Sequence, residues 1–124
     1  MKNSLLPCLM LAVLLSACVQ KTYLKTVVYT LHIPGTRPSA SVGIRGNDKP
    51  LNWESDQKMS LNLSDSTYRA VVTYQTGYLF TEVKFATDGV FELAEQPNRR
   101  VLFAATDTTF YEGTFDKLNP VKTN

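Results

Sequence analysis

Cysteine is nearly absent from this chain: there are two, Cys8 and Cys18, both within the first 18 of 124 residues. Everything beyond them must fold without a disulfide staple, a thiolate zinc site or a cysteine nucleophile. Histidine is scarcer still. The single copy, His32, sits between Leu31 and Ile33 in a β-branched and aromatic run, where a plain sheet residue is the simpler reading than a general base. Charge of one sign is also missing: 13 basic residues against 11 acidic leave +2, and the longest like-charge run is the pair Arg99-Arg100. That excludes the basic footprint of a nucleic-acid binder. No apolar run reaches the ~20 residues of a membrane-spanning helix. No stretch of about 11 residues holds a 3.6-residue period with good helix formers. One domain fits in this length.

The first 18 residues are ordered in a recognisable way. Lys2 lies in a short polar start, an apolar stretch covers 5–15 with Pro7 near its beginning, and Ser16 and Ala17 follow. This is the layout of a secretion signal and is about half the length needed to span a bilayer. The four residues Leu15-Ser16-Ala17-Cys18 resemble the bacterial lipoprotein box. By that resemblance residues 1–17 are removed and Cys18 becomes the first residue, with three acyl chains of the palmitate type; two or more chains anchor stably. The plainer alternative is an ordinary signal peptide ending in an A-x-A type of site, with an incidental cysteine. Lipoproteins held at the inner membrane carry aspartate after the cysteine, whereas Val19-Gln20 follows here. The resemblance therefore implies the outer membrane of a Gram-negative cell. Removing 17 residues from 124 leaves 107, with 12 basic and 11 acidic once Lys2 has gone. A domain of that size buries roughly two thirds of its unfolded surface.

Beyond a short tether over 18–25, β-branched and aromatic runs alternate with turn signals such as Pro34-Gly35, Gly46-Asn47-Asp48 and Ser64-Asp65-Ser66. The runs cover 26–33, 40–45, 59–63, 68–74, 80–87, 89–93, 100–104 and 108–115. Seven or eight strands at a spacing of about ten residues predict an all-β, immunoglobulin-like antiparallel β-sandwich over 26–118, with 119–124 as a C-terminal tail. Period two assigns faces. Val83 and Phe85 share one, and Glu82, Lys84 and Ala86 the other, so Lys84 is expected to point away from the core. In 68–74 the set Tyr68, Ala70, Val72 and Tyr74 opposes Arg69, Val71 and Thr73, and the pattern leaves the core set open.

Catalytic groups are few. Glu54 with Asp56, or Glu92 with Glu95, could be imagined as an acid and a base, but nothing in the pattern sets either pair in a pocket. Asp48, Glu54 and Asp56 do not have the spacing of an EF-hand calcium loop, and Asn62-Leu63-Ser64 matches the glycosylation acceptor only formally. The expectation is a protein with no catalytic residues, no metal and no cofactor. The one tryptophan, Trp53, stands in a turn-rich polar stretch, either packed over one end of the sandwich or offered to a ligand.

Four elements in order carry a further resemblance: Val42-Gly43-Ile44-Arg45-Gly46 with Leu51-Asn52-Trp53, then Val83-Lys84-Phe85, then Phe91-Glu92, then Pro97-Asn98-Arg99. Over about 26–103 the chain resembles the family 20 carbohydrate-binding modules, or starch-binding domains. That resemblance implies a platform of Trp53 and Phe91 on which glucose rings stack, with Lys84 and Asn98 bonding to sugar hydroxyls. A pyranose C–H face packs on aromatic rings while its hydroxyls need a few fixed polar partners. The loop before Trp53 lacks the family's glycine after leucine, and Phe91 replaces a second tryptophan. The implied partners are an α-glucan-type polysaccharide and, through Cys18, a membrane. The alternative is a structural envelope lipoprotein whose sandwich binds another envelope protein.

Overall fold

The computed structural model describes residues 21–35 and 41–124. Among these are ten strands and no helix: β1 (Tyr23–His32), β2 (Val42–Gly46), β3 (Gln57–Lys58), β4 (Ser60–Asn62), β5 (Thr67–Thr76), β6 (Phe80–Thr87), β7 (Val90–Phe91), β8 (Arg99–Leu102), β9 (Thr108–Thr114) and β10 (Lys117–Thr123). They form two sheets. The first runs β10-β9-β1-β5-β4, and the second runs β3-β2-β6, with β7 and β8 both on the far edge of β6. Every pairing is antiparallel except β1 with β9. The all-β sandwich expected from the sequence is the observed architecture.

Strand number and limits differ from expectation. Ten strands replace seven or eight because residues 57–58 form a two-residue rung on β2, and because residues 117–123 pair along β9 where the sandwich was expected to end at 118. The stretch read as a strand over 89–93 is one only at Val90–Phe91. At the other end β1 begins at Tyr23, inside the expected tether. The expected signal, the cleavage site and Cys18 lie outside the described residues.

Alternation builds the core. Val27, Tyr29 and Leu31 of β1, Ala70, Val72 and Tyr74 of β5, Val42 and Ile44 of β2, and Val83 and Phe85 of β6 turn inward and pack together with Leu51, Met59, Val101 and Tyr111. This settles the face of β5: Val72 lies opposite Val27 inside, while Val71 faces solvent. Two buried hydroxyls, on Tyr29 and Tyr74, lie 2.7 Å apart and satisfy each other. Burial pushes the pKa of both phenols above the ordinary tyrosine value.

Candidate functional site

The outer face of the second sheet is built in rows across β2 and β6. Gly43 lies opposite Ala86, and Arg45 opposite Lys84. On the other side of β6, Phe91 lies opposite Ala86 and Arg100 opposite Glu82. Since opposed residues share a face, Phe91, Lys84, Arg45, Glu82 and Arg100 all project to one side. Asn98 precedes Arg99, which is opposite Val83, and so continues β8 to the level of Lys84. The four residues nominated from the sequence thus fall on one surface or the loop above it.

The loop carrying Trp53 lies across this surface because two glycines let it. A Cβ on Gly43 would stand 2.5 Å from the Cβ of Asp56, so only glycine admits the loop there. On the inner side, Leu51 enters the core beside Gly46. Between them the turn is fixed by Asn52. Its Oδ1 accepts from the amides of Glu54 and Ser55 at 3.0 and 2.8 Å, and its carbonyl accepts from the Gly46 amide at 3.2 Å. Arg45 closes the loop from below, donating from Nε to Asp56 at 2.5 Å and from Nη1 to the Trp53 carbonyl at 3.0 Å.

Trp53 is thereby held against Phe91, with ring centroids 6.1 Å apart and planes at 68°. Trp53 is half-buried and Phe91 is 39% exposed. The Arg45 guanidinium stands 4.9 Å from the centre of the Phe91 ring, a cation–π contact worth about 0.5–1 kcal/mol at such an open position. The two aromatics form a partly open pair, 38 positions apart in sequence and joined by a single arginine.

The polar partners are already engaged. Lys84 points outward as alternation predicts, but its ammonium donates to the carbonyls of Leu93 and Gln96, both at 3.1 Å. Those bonds hold a tight turn in which Leu93 and Glu95 take positive φ of 53° and 60°, a conformation that costs a side-chain-bearing residue roughly 1–2 kcal/mol. An ammonium has three donors, so the clamp leaves one for a ligand. Asn98, half-buried, donates from Nδ2 to Glu82 Oε2 at 3.2 Å, a bond that engages its amide nitrogen and not its side-chain carbonyl oxygen.

Beneath the platform is a buried ion pair that period counting alone does not reveal. Glu92 and Arg99 have fully buried side chains. Arg99 Nε donates to Glu92 Oε1 at 2.6 Å and Nη2 to Oε2 at 2.8 Å. The carboxylate also accepts from the amides of Phe85 at 3.0 Å and Asp116 at 3.1 Å, while Arg99 reaches the Thr114 carbonyl and the Tyr111 hydroxyl. Burial works against the guanidinium charge, but the bonds to Glu92 and Tyr111 outweigh it, so the pKa of Arg99 stands above its ordinary value. The pair fastens β7 and β8 to β6 and β9, and Phe91 is the residue next to its carboxylate.

The remaining chemistry-bearing residues are dispersed. His32 Nε2 lies 2.6 Å from Glu112 on the neighbouring strand β9. Glu54 and Glu95 are exposed, and Asp48 accepts from the Thr81 hydroxyl at 2.7 Å. Asn62 Oδ1 accepts from Ser64 and closes a local turn. Neither imagined acid and base pair forms, because Asp56 is bound to Arg45 and Glu92 to Arg99. Arg45 is the site residue that sequence reasoning passed over. The sequence carries its signal: a charge at an outward position of a strand whose alternate residues, Val42, Ile44 and Gly46, face in.

Against known proteins, the chain matches no family model and no curated protein.

Proposed function

We propose that this chain is a lipid-anchored, non-catalytic carbohydrate-binding protein of the cell envelope, whose Trp53–Phe91 platform takes an α-glucan-type chain. The observation that carries the reading is the contact of those two rings at 6.1 Å on an outward face. A flat, extended polysaccharide asks for coplanar rings in a row. Planes at 68° suit the bent course of an α-linked chain, whose successive sugars turn their C–H faces in different directions. The free donor of Lys84 and the Asn98 carbonyl supply the rim of polar groups such a ligand needs. Near-zero net charge suits a neutral polymer. Anchoring is through Cys18, with the outer membrane as the address.

The reading is tested by electrophoresis in native gels containing amylopectin. The soluble domain is retarded relative to a polymer-free gel, and Trp53→Ala loses the retardation while keeping the far-ultraviolet spectrum of the fold. Equal mobility of the wild type in both gels overturns sugar binding and leaves the sandwich as a scaffold for an envelope protein.

A further inference from the structure

One end of the sandwich is more apolar than a water-facing end needs to be. Tyr78 and Leu79, at the turn between β5 and β6, are 68% and 80% exposed, and Tyr23 at the start of β1 is 58% exposed. Together with Phe103 they line a shallow depression of about 530 Å³. Tyrosine at such a place is the residue type that belongs to the membrane–water boundary, where its ring is buried and its hydroxyl wet.

The same end is where the chain leaves toward Cys18. A Cβ on Gly77 would meet the Lys21 carbonyl at 2.8 Å, so the backbone at Lys21 lies directly on the turn that presents Tyr78 and Leu79. Thr22 is tied there as well, accepting from Gln75 Nε2 at 3.3 Å. From Cys18 to Lys21 there are three peptide steps, at most about 11 Å of fully extended chain. The headgroup layer of one leaflet is itself about 5–8 Å deep. A lipid on Cys18 therefore keeps this end within about 3–6 Å of the headgroup layer even with the tether fully extended, and any bend in the tether brings it into contact.

We infer that the end bearing Tyr23, Tyr78 and Leu79 is seated in the headgroup layer of the membrane that holds Cys18. The inference rests on the lipid anchor of the proposed function and adds an orientation to it. Ala86, opposite Phe91, lies six residues along β6 from Phe80, or about 20 Å at the rise of a strand. The Trp53–Phe91 platform is thereby held off the surface, open to a polymer that does not touch the bilayer. Exposed Lys21 faces the lipid phosphates at the point of contact.

The test uses full-length protein purified from membranes and reconstituted in vesicles of phosphatidylethanolamine and phosphatidylglycerol, with lipids brominated high on the acyl chain as quenchers. The anchor is read separately from the mass of the N-terminal peptide. With Cys18 acylated, Leu79→Trp in a Trp53→Phe background loses most of its emission to the brominated lipids, and Trp53 of the wild type keeps its own. An L79W probe quenched by aqueous acrylamide and untouched by brominated lipid overturns the seating while leaving the anchor intact. A probe shielded from both is covered by the domain's own depression or by a second copy of the chain, and it overturns the seating too, as does equal lipid quenching of Trp53. A peptide without acyl mass on Cys18 refutes the anchor and the seating with it.

Discussion

Replacing Arg99 with methionine removes one half of the buried pair and leaves the Glu92 carboxylate with only the Phe85 and Asp116 amides. It also deprives the Thr114 carbonyl and the Tyr111 hydroxyl of a donor. Stranding one charge of a buried pair costs about 3–5 kcal/mol, out of a total of about 5–15 kcal/mol for a domain. Glu92→Leu strands the guanidinium and two backbone N–H groups, and its cost falls in the same range. The double variant removes both charges, so its loss is smaller than the sum of the singles by about 2–3 kcal/mol. The assay is urea unfolding of the soluble domain at neutral pH, followed in parallel by Trp53 fluorescence and far-ultraviolet circular dichroism. Strict additivity, or a loss under about 1 kcal/mol for Arg99→Met, refutes the assignment of this pair as the fastening of β7 and β8.

Lys84→Met removes two charge-assisted bonds to the carbonyls of Leu93 and Gln96, and thermal or urea unfolding is expected to show a loss of about 1–3 kcal/mol; an unchanged midpoint contradicts the clamp. Glu95→Gly relieves a positive φ at an exposed position. Relief of about 1–2 kcal/mol, less the greater freedom of glycine in the unfolded chain, predicts a net gain of about 0.5 kcal/mol by the same assay. Asp65 has a lowered pKa because its carboxylate accepts from the Thr67 hydroxyl at 2.7 Å and then from the Thr67 amide at 3.1 Å. A depressed carboxyl pKa adds stability above its unfolded value, about 3.9, and loses it as pH falls through the lower folded value. Stability curves of wild type and Asp65→Asn should therefore converge in acid below about pH 4 and separate above it; parallel curves contradict the assignment.

Much of the fold is legible in the sequence because a half-buried strand writes its burial in alternate residues. On β6 the pattern reads directly, with Val83 and Phe85 in the core and Lys84 out. On β5 it fails because Val71 is as apolar as Val72, and only the partner strand β1 decides which is buried. Strand β10 takes in most of the expected tail over 119–124 and carries Pro120, which has no N–H to give a central strand. The proline is tolerated because β10 is an edge strand with a register irregularity between Lys117 and Lys122. The site is less legible. That Trp53 meets Phe91, or that Glu92 meets Arg99, follows from pairing and packing between segments, and no local pattern records it. For the same reason Lys84 reads as a free outward cation, although its length lets it reach back to clamp the following turn.

Sugar binding at the Trp53–Phe91 platform is tested most directly by the emission of Trp53, the only tryptophan of the chain. Titration of the soluble domain with maltoheptaose should give a saturable change in that emission, and Phe91→Ser should abolish it while leaving the unfolding transition cooperative. Emission that stays constant through millimolar maltoheptaose, with the domain folded, contradicts the assignment of this face to an α-glucan.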